Sequence, residues 1–99
     1  MKVAYTRRSI ADFDDIFERG LRFGKPIAKQ VERHIRAECA LLAKFPQIGT
    51  TTDLEDVRRV PIVRYPFTVY YRIDRPAGRI EILRIVRSSS IRDLGQVPN

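Results

Sequence analysis

Cysteine is nearly absent from this 99-residue chain: Cys39 stands alone, so no disulfide can form within it. That favours a reducing compartment. Tryptophan is missing and histidine occurs once, at His34. A lone His without Cys or His at ligand spacing argues against a zinc site, so neither a metal nor a cofactor is expected. The longest apolar run, Cys39 to Ala43, is far too short to cross a bilayer. Met1 to Thr6 lacks the apolar stretch of a signal peptide, so a cytoplasmic location and no membrane partner are expected. Glycine-rich phosphate loops, nucleophile elbows and paired-carboxylate spacings are also missing. Ser88-Ser89-Ser90 has no evident base beside it. Cys39 falls on an apolar stripe, where a buried, inert thiol is expected.

Arginine is what the chain has in quantity, and it is unevenly placed. Residues 1–56 carry ten Lys+Arg against nine Asp+Glu. Residues 57–99 carry nine Arg, no Lys and three acids, so nearly all of the +7 net charge lies in the second half. Guanidinium groups suit bidentate contacts to carboxylate or phosphate and stacking on flat groups. An acidic macromolecule is the expected partner.

The hydrophobic period divides the chain in the same way. Lys2 to Thr6 alternates and reads as a short strand. Ile10, Phe13, Ile16, Phe17, Gly20 and Leu21 then recur at three and four, as on one helix face. Thr6 and Ser9 are both candidate caps; Ser9-Ile10-Ala11-Asp12 fits a capping box, and Asp12, Asp14 and Asp15 suit the helix dipole. Pro26 opens a second helix with the stripe Ile27, Val31, Ile35, Cys39, Leu42 and Phe45, which Pro46 ends. Gly49 to Asp56 reads as a polar loop.

From Val57 the period becomes two, predicting strands over Val57–Val63, Phe67–Asp74 and Arg79–Arg87. In the middle strand, Phe67, Val69, Tyr71 and Ile73 should meet the helices. In the last, strict alternation puts Glu81, Leu83 and Ile85 on one face. Pro61 argues against a central strand or for a bulge. The expected fold is α+β: an N-terminal strand and an αα-hairpin packed on a mainly antiparallel sheet of about four strands. One domain is expected over residues 1–99, with the hairpin at about 7–46, the sheet half at about 57–87 and a short tail at 88–99.

Arg58, Arg59, Arg64, Tyr65, Tyr70, Arg72, Arg84 and Arg87 fall on or beside these strands. Arg with Tyr on a sheet face grips phosphates and stacks on bases. The same residue types form protein-interface hot spots, and cross-strand pairing accounts for some of them. These eight are the candidates for contact with a target or a protein partner.

Several segments, in order, resemble the RelE/ParE superfamily of bacterial toxins. Leu42-Ala43-Lys44-Phe45-Pro46-Gln47-Ile48-Gly49 looks like the family's leucine followed by Pro-x-x-Gly. Val57-Arg58-Arg59-Val60-Pro61-Ile62 looks like its next strand. Arg64-Tyr65-Pro66-Phe67-Thr68-Val69-Tyr70-Tyr71-Arg72-Ile73 looks like its Pro-aromatic strand ending in Tyr-Arg, and Arg79 to Ile85 like its last strand. The resemblance spans about residues 3–87 and is closer to the ParE side. It implies a growth-inhibiting toxin of the plasmid-stabilising kind, neutralised by a cognate antitoxin with an acidic segment that folds on it.

Two targets follow from the same resemblance. ParE-like members bind DNA gyrase; RelE-like members cut messenger RNA on the ribosome. Cleavage needs a group to accept the 2′-hydroxyl proton and another to protonate the leaving oxygen, and arginine is a poor base. The sheet half has no Lys or His and only Glu81 on its strands beside Asp74. Where many relatives carry a His-x-x-Arg segment, this chain reads Arg87-Ser88-Ser89-Ser90-Ile91-Arg92-Asp93-Leu94. Binding to DNA gyrase without catalysis is therefore the expectation. The alternatives are a ribosome-dependent mRNA endonuclease and a small nucleic-acid-binding module with no toxin role.

Overall fold

The switch of period near residue 57 is realised as two layers in a computed structural model, which describes residues 1–88. The elements are β1 (Lys2–Tyr5), α1 (Arg7–Gly20), a 3-10 turn (Leu21–Phe23), α2 (Lys25–Lys44), β2 (Thr50–Thr51), β3 (Val57–Pro61), β4 (Phe67–Asp74) and β5 (Arg79–Arg87). Five strands form one sheet in the order β1-β5-β4-β3-β2, one more than expected. The extra strand is β2, two exposed threonines facing Arg58 and Arg59 inside the segment read as a loop. β1 runs parallel to β5, and the other pairings are antiparallel.

Thr6 caps α1: its Oγ1 accepts the Ser9 N–H at 3.2 Å. Ser9 lies inside the helix, fully buried, and its Oγ donates to the Thr6 carbonyl at 2.8 Å. The capping box at Ser9 is therefore not formed. No acid stands in the first turn of α1, so the expected pairing of Asp12 with the helix dipole is replaced by a tertiary one described below. Only Phe13 and Ile16 of the α1 stripe are buried; Ile10 and Leu21 are exposed.

The hairpin closes by contact at Gly20, where an added Cβ would stand 3.2 Å from Ala28 Cα and Cβ. Gly24, at φ 102, breaks the chain between the two helices. α2 then buries Ile35, Cys39 and Leu42 against Val69, Tyr71 and Ile82 of the sheet. Each such aliphatic side chain contributes about 1.5–3 kcal/mol on leaving water. Phe67, Val69, Tyr71 and Ile73 all join this core face.

β3 ends at Pro61, two residues short of the expected strand. Its bonds to β4 include the Ile62 N–H to the Phe67 carbonyl, so the Pro61 nitrogen faces the other way. Among the described residues that edge is unpaired there, because β2 covers only Arg58 and Arg59. A bulge interrupts β5: Tyr70 pairs with Arg84 and Tyr71 with Ile82, leaving Leu83 as the extra residue. Alternation consequently fails across it. Glu81 pairs with Arg72 on one face, whereas Ile85 pairs with Val69 and turns into the core.

Candidate macromolecular interface

The eight candidate residues separate into those the fold uses internally and those it leaves outward. Arg84 belongs to the first group. Its Nε donates to Asp12 Oδ2 at 2.9 Å and its Nη2 to Oδ1 at 3.3 Å, with both side chains about an eighth exposed. The Ile85 N–H also donates to Oδ2, at 2.8 Å. Thr6 Oγ1 donates to the Ile82 carbonyl at 2.7 Å, so the bulge is tied to α1 at two points.

Arg58 is also engaged. Its Nη1 donates to the Gly49 carbonyl at 2.7 Å. The Tyr71 hydroxyl donates to the Pro46 carbonyl at 2.6 Å and accepts the Gly49 N–H at 3.0 Å. The Pro46-Gln47-Ile48-Gly49 segment is thus fastened where α2 meets β3 and β4. Gly49 is required there, since an added Cβ would lie 2.6 Å from the Tyr71 hydroxyl and 2.7 Å from the Arg59 carbonyl.

Arg59 and Tyr70 face each other across β3 and β4. Tyr70 is fully buried, so its ring presents no surface to a base, and among the described residues neither its hydroxyl nor Arg59 Nε has a hydrogen-bond partner. Arg72 lies outward on the same face, 3.9 Å from Glu81, which also lies 3.5 Å from Arg79. Exposed pairs of this kind contribute about 0–1 kcal/mol and exchange readily. Arg64 is exposed in the β3–β4 turn. Tyr65 is half-buried, its ring edge-on to His34 at 5.3 Å. Arg87 is exposed, its guanidinium 5.8 Å from the centroid of the Phe67 ring.

Sequence reasoning missed an apolar groove of about 620 Å³ between the hairpin and the ends of β4 and β5. Ile16, Phe23, Ile27, Val31, Tyr65 and Phe67 line it, and Arg19 and Arg87 stand among its charged lining residues. Phe23 is 71% exposed and Ile27 44%. The available signal was a large aromatic in a short inter-helix linker ending in Gly24, a place where polar residues are usual.

The shifted acids among the described residues are all held neutral. Burial pushes the Tyr5 hydroxyl up to about 12 and the Cys39 thiol up to about 11. Burial also raises Tyr71, opposed by the Gly49 N–H and by Arg58. Among the described residues no group of three or more His, Cys, Asp or Glu could hold a metal, and no helix is long and apolar enough to cross a membrane. Ser89, Ser90, Arg92 and the rest of the expected tail lie outside the described residues. Ser88 is held by its N–H to the Pro66 carbonyl at 2.9 Å.

The family described as "ParE toxin of type II toxin-antitoxin system, parDE" matches residues 3–92. Among solved structures, the chain is similar to one in the chromosomal ParDE toxin-antitoxin system from P. aeruginosa. That likeness has 27% identity and a TM-score of 0.76, covering 88% of this chain and 95% of that one. It is similar in fold to the isolated E. coli RelE toxin, at 8% identity and a TM-score of 0.65, covering 94% of this chain and 87% of that one. Among curated proteins, none matches.

Proposed function

Because the chain belongs to the ParE toxin family of type II toxin-antitoxin systems, we propose that it arrests growth in the cytoplasm by binding DNA gyrase, and that a cognate antitoxin holds it inactive. The observation that carries this reading is the 27% identity with a chain of a ParDE system over 88% of this one. The chemistry of the sheet supports binding over cleavage. Glu81, the one glutamate on its strands, is shared between Arg72 and Arg79. An arginine beside it stabilises charge and holds a phosphate or carboxylate but does not take a proton. Arg59, Arg64, Arg72 and Arg87 are the proposed target contacts, with residues 1–99 acting as one toxin domain.

The antitoxin is proposed to seat an acidic, partly apolar segment in the groove. Apolar side chains cover Phe23 and Ile27, and carboxylates meet Arg19 and Arg87. Ordering such a segment costs free energy that a large covered area offsets. The charges mainly speed encounter, so added salt slows association.

Growth tests this directly. Induction of the chain alone should stop cell division, and co-expression with the gene beside it should restore growth and yield a co-purifying complex. Equal growth in both cultures with no complex would count against the toxin reading. Growth arrest accompanied by cut ribosome-bound mRNA would replace gyrase by the ribosome.

A further inference from the structure

Tyr70 and Thr68 are buried on the side of the sheet away from the helices. β4 alternates, so Val69 and Tyr71 enter the core shared with α1 and α2, and Thr68, Tyr70 and Arg72 stand on the other face. Yet Tyr70 is 0% exposed and Thr68 5%, as enclosed as the core residues although neither belongs to that cluster. Strand neighbours screen the flanks of a side chain that stands upright on a sheet but leave its tip open. Arg72, two residues further along the same face, shows the usual result: its side chain is 45% exposed. A cover therefore lies over Thr68 and Tyr70 and stops short of Arg72. It belongs to this chain, because a single copy already encloses Tyr70.

The described elements do not supply it. Phe13, Ile35, Cys39 and Leu42 of the helices pack on the opposite face. The segment before β3 is tied to the Tyr71 hydroxyl on the core face and to the Ile73 N–H beyond Arg72. The chain does arrive at the right place when it leaves β5. Arg87 pairs with Phe67, and the next residue, Ser88, donates its N–H to the Pro66 carbonyl at 2.9 Å. The Ser88 hydroxyl lies 3.0 Å from Thr68 Oγ1, so Ser88 stands on the outer face, about 7 Å short of Tyr70 along the strand. Eleven residues follow, Ser89 to Asn99. At full extension they reach about 36 Å, several times the distance required. Ile91, Leu94 and Val97 recur among them at intervals of three, and the charges of Arg92 and Asp93 cancel.

The covered place is the centre of the proposed target face. Arg59 pairs with Tyr70 across β3 and β4, and Arg72 follows it. Among the described residues neither the Tyr70 hydroxyl nor the buried Arg59 Nε finds an acceptor. Donors kept from water without a partner are costly. A target that offers acceptors to both gains bonds that the described fold leaves unmade.

We infer that residues 89–99 form a removable cover over Thr68 and Tyr70, an autoinhibitory contact that gyrase displaces to reach Arg59 and Tyr70. The role of the cover rests on the gyrase reading above; its place does not. A site open in only a fraction of molecules binds with its affinity reduced by that fraction, so loosening the cover strengthens binding.

Two measurements on the full chain separate place from role. In isotopically labelled wild type, nuclear Overhauser contacts from the Tyr70 ring to methyl groups of Ile91, Leu94 or Val97 are expected. Contacts confined to residues 1–88 overturn the cover. Ile91→Ser/Leu94→Ser/Val97→Ser is then compared with wild type for gyrase binding, after unchanged amide shifts in the helices have shown that it folds. Where that variant does not fold, Leu94→Ser alone takes its place. Binding is expected to tighten about fivefold or more. Equal or weaker binding overturns the autoinhibitory role. If neither protein binds gyrase, that role falls together with the gyrase reading, and the Tyr70 contacts alone uphold or overturn the cover.

Discussion

Asp12 on α1 and Arg84 on β5, 72 residues apart in sequence, form a two-pronged ion pair whose shorter contact is 2.9 Å. The same Asp12 oxygen accepts the Ile85 N–H at the bulge. Removing the carboxylate would take one acceptor away from a mostly buried guanidinium and from a backbone N–H. Asp12→Ala is expected to destabilise the fold by about 2–4 kcal/mol, read by urea denaturation. Asp12→Asn keeps an acceptor for one donor and should lose less.

A second expectation concerns Gly49. Its substitution by alanine would drive a Cβ into the Tyr71 hydroxyl and the Arg59 carbonyl. Gly49→Ala should therefore cost about 2 kcal/mol or more, and Tyr71→Phe about 1–3 kcal/mol through the lost bonds to Pro46 and Gly49. The double variant should not recover, because the backbone carbonyl still blocks the Cβ at 2.7 Å. Recovery of stability in Tyr71→Phe/Gly49→Ala, measured by thermal melting, would contradict this geometry.

The layers of the fold were legible because periodicity reports burial. Phe67–Asp74 alternates and is β4 at those bounds, and the helical stripes predict the hairpin. What escaped had no local pattern. β2 is two polar residues with no apolar face to signal it. The bulge at Leu83 adds one residue, so strict alternation misplaced Ile85. Thr6 and Ser9 were equal as caps until the sheet chose between them, since the Thr6 hydroxyl also bonds Ile82. Composition grouped eight Arg and Tyr residues that the fold separates. Arg84 and Arg58 bind the chain itself, Tyr70 is enclosed, and Arg64, Arg72 and Arg87 remain outward.

Alkaline pH should unfold the domain through its buried acids. Cys39, Tyr5 and Tyr71 are all raised by burial, so each is neutral in the fold where the unfolded chain would already ionise. A raised pKa stabilises fully below the unfolded value and is lost as pH climbs through the folded one. The window opens near the ordinary thiol value of 9.0 and closes near the raised Tyr5 value of about 12. Denaturation midpoints should be flat up to its lower end and then fall. Cys39 should stay unreactive to thiol reagents until the fold is lost.

Outward arginines should affect association while leaving stability almost unchanged. Arg64→Ala and Arg87→Ala are each expected to shift stability by no more than about 0.5 kcal/mol. The association rate with antitoxin should fall in both and depend less on salt, read by stopped-flow mixing at two ionic strengths. Arg84→Ala, which takes from Asp12 a mostly buried guanidinium partner, should instead cost stability.

Gyrase is the central point, and supercoiling is the measurement that reaches it most directly. Relaxed plasmid, purified gyrase and ATP are mixed with increasing amounts of this chain, with and without its antitoxin. Supercoiling should fall in proportion to the toxin added and return when the antitoxin is present. Undiminished supercoiling at large molar excess, alongside codon-positioned cuts in the mRNA of a translating extract, would contradict it and make the domain a ribonuclease.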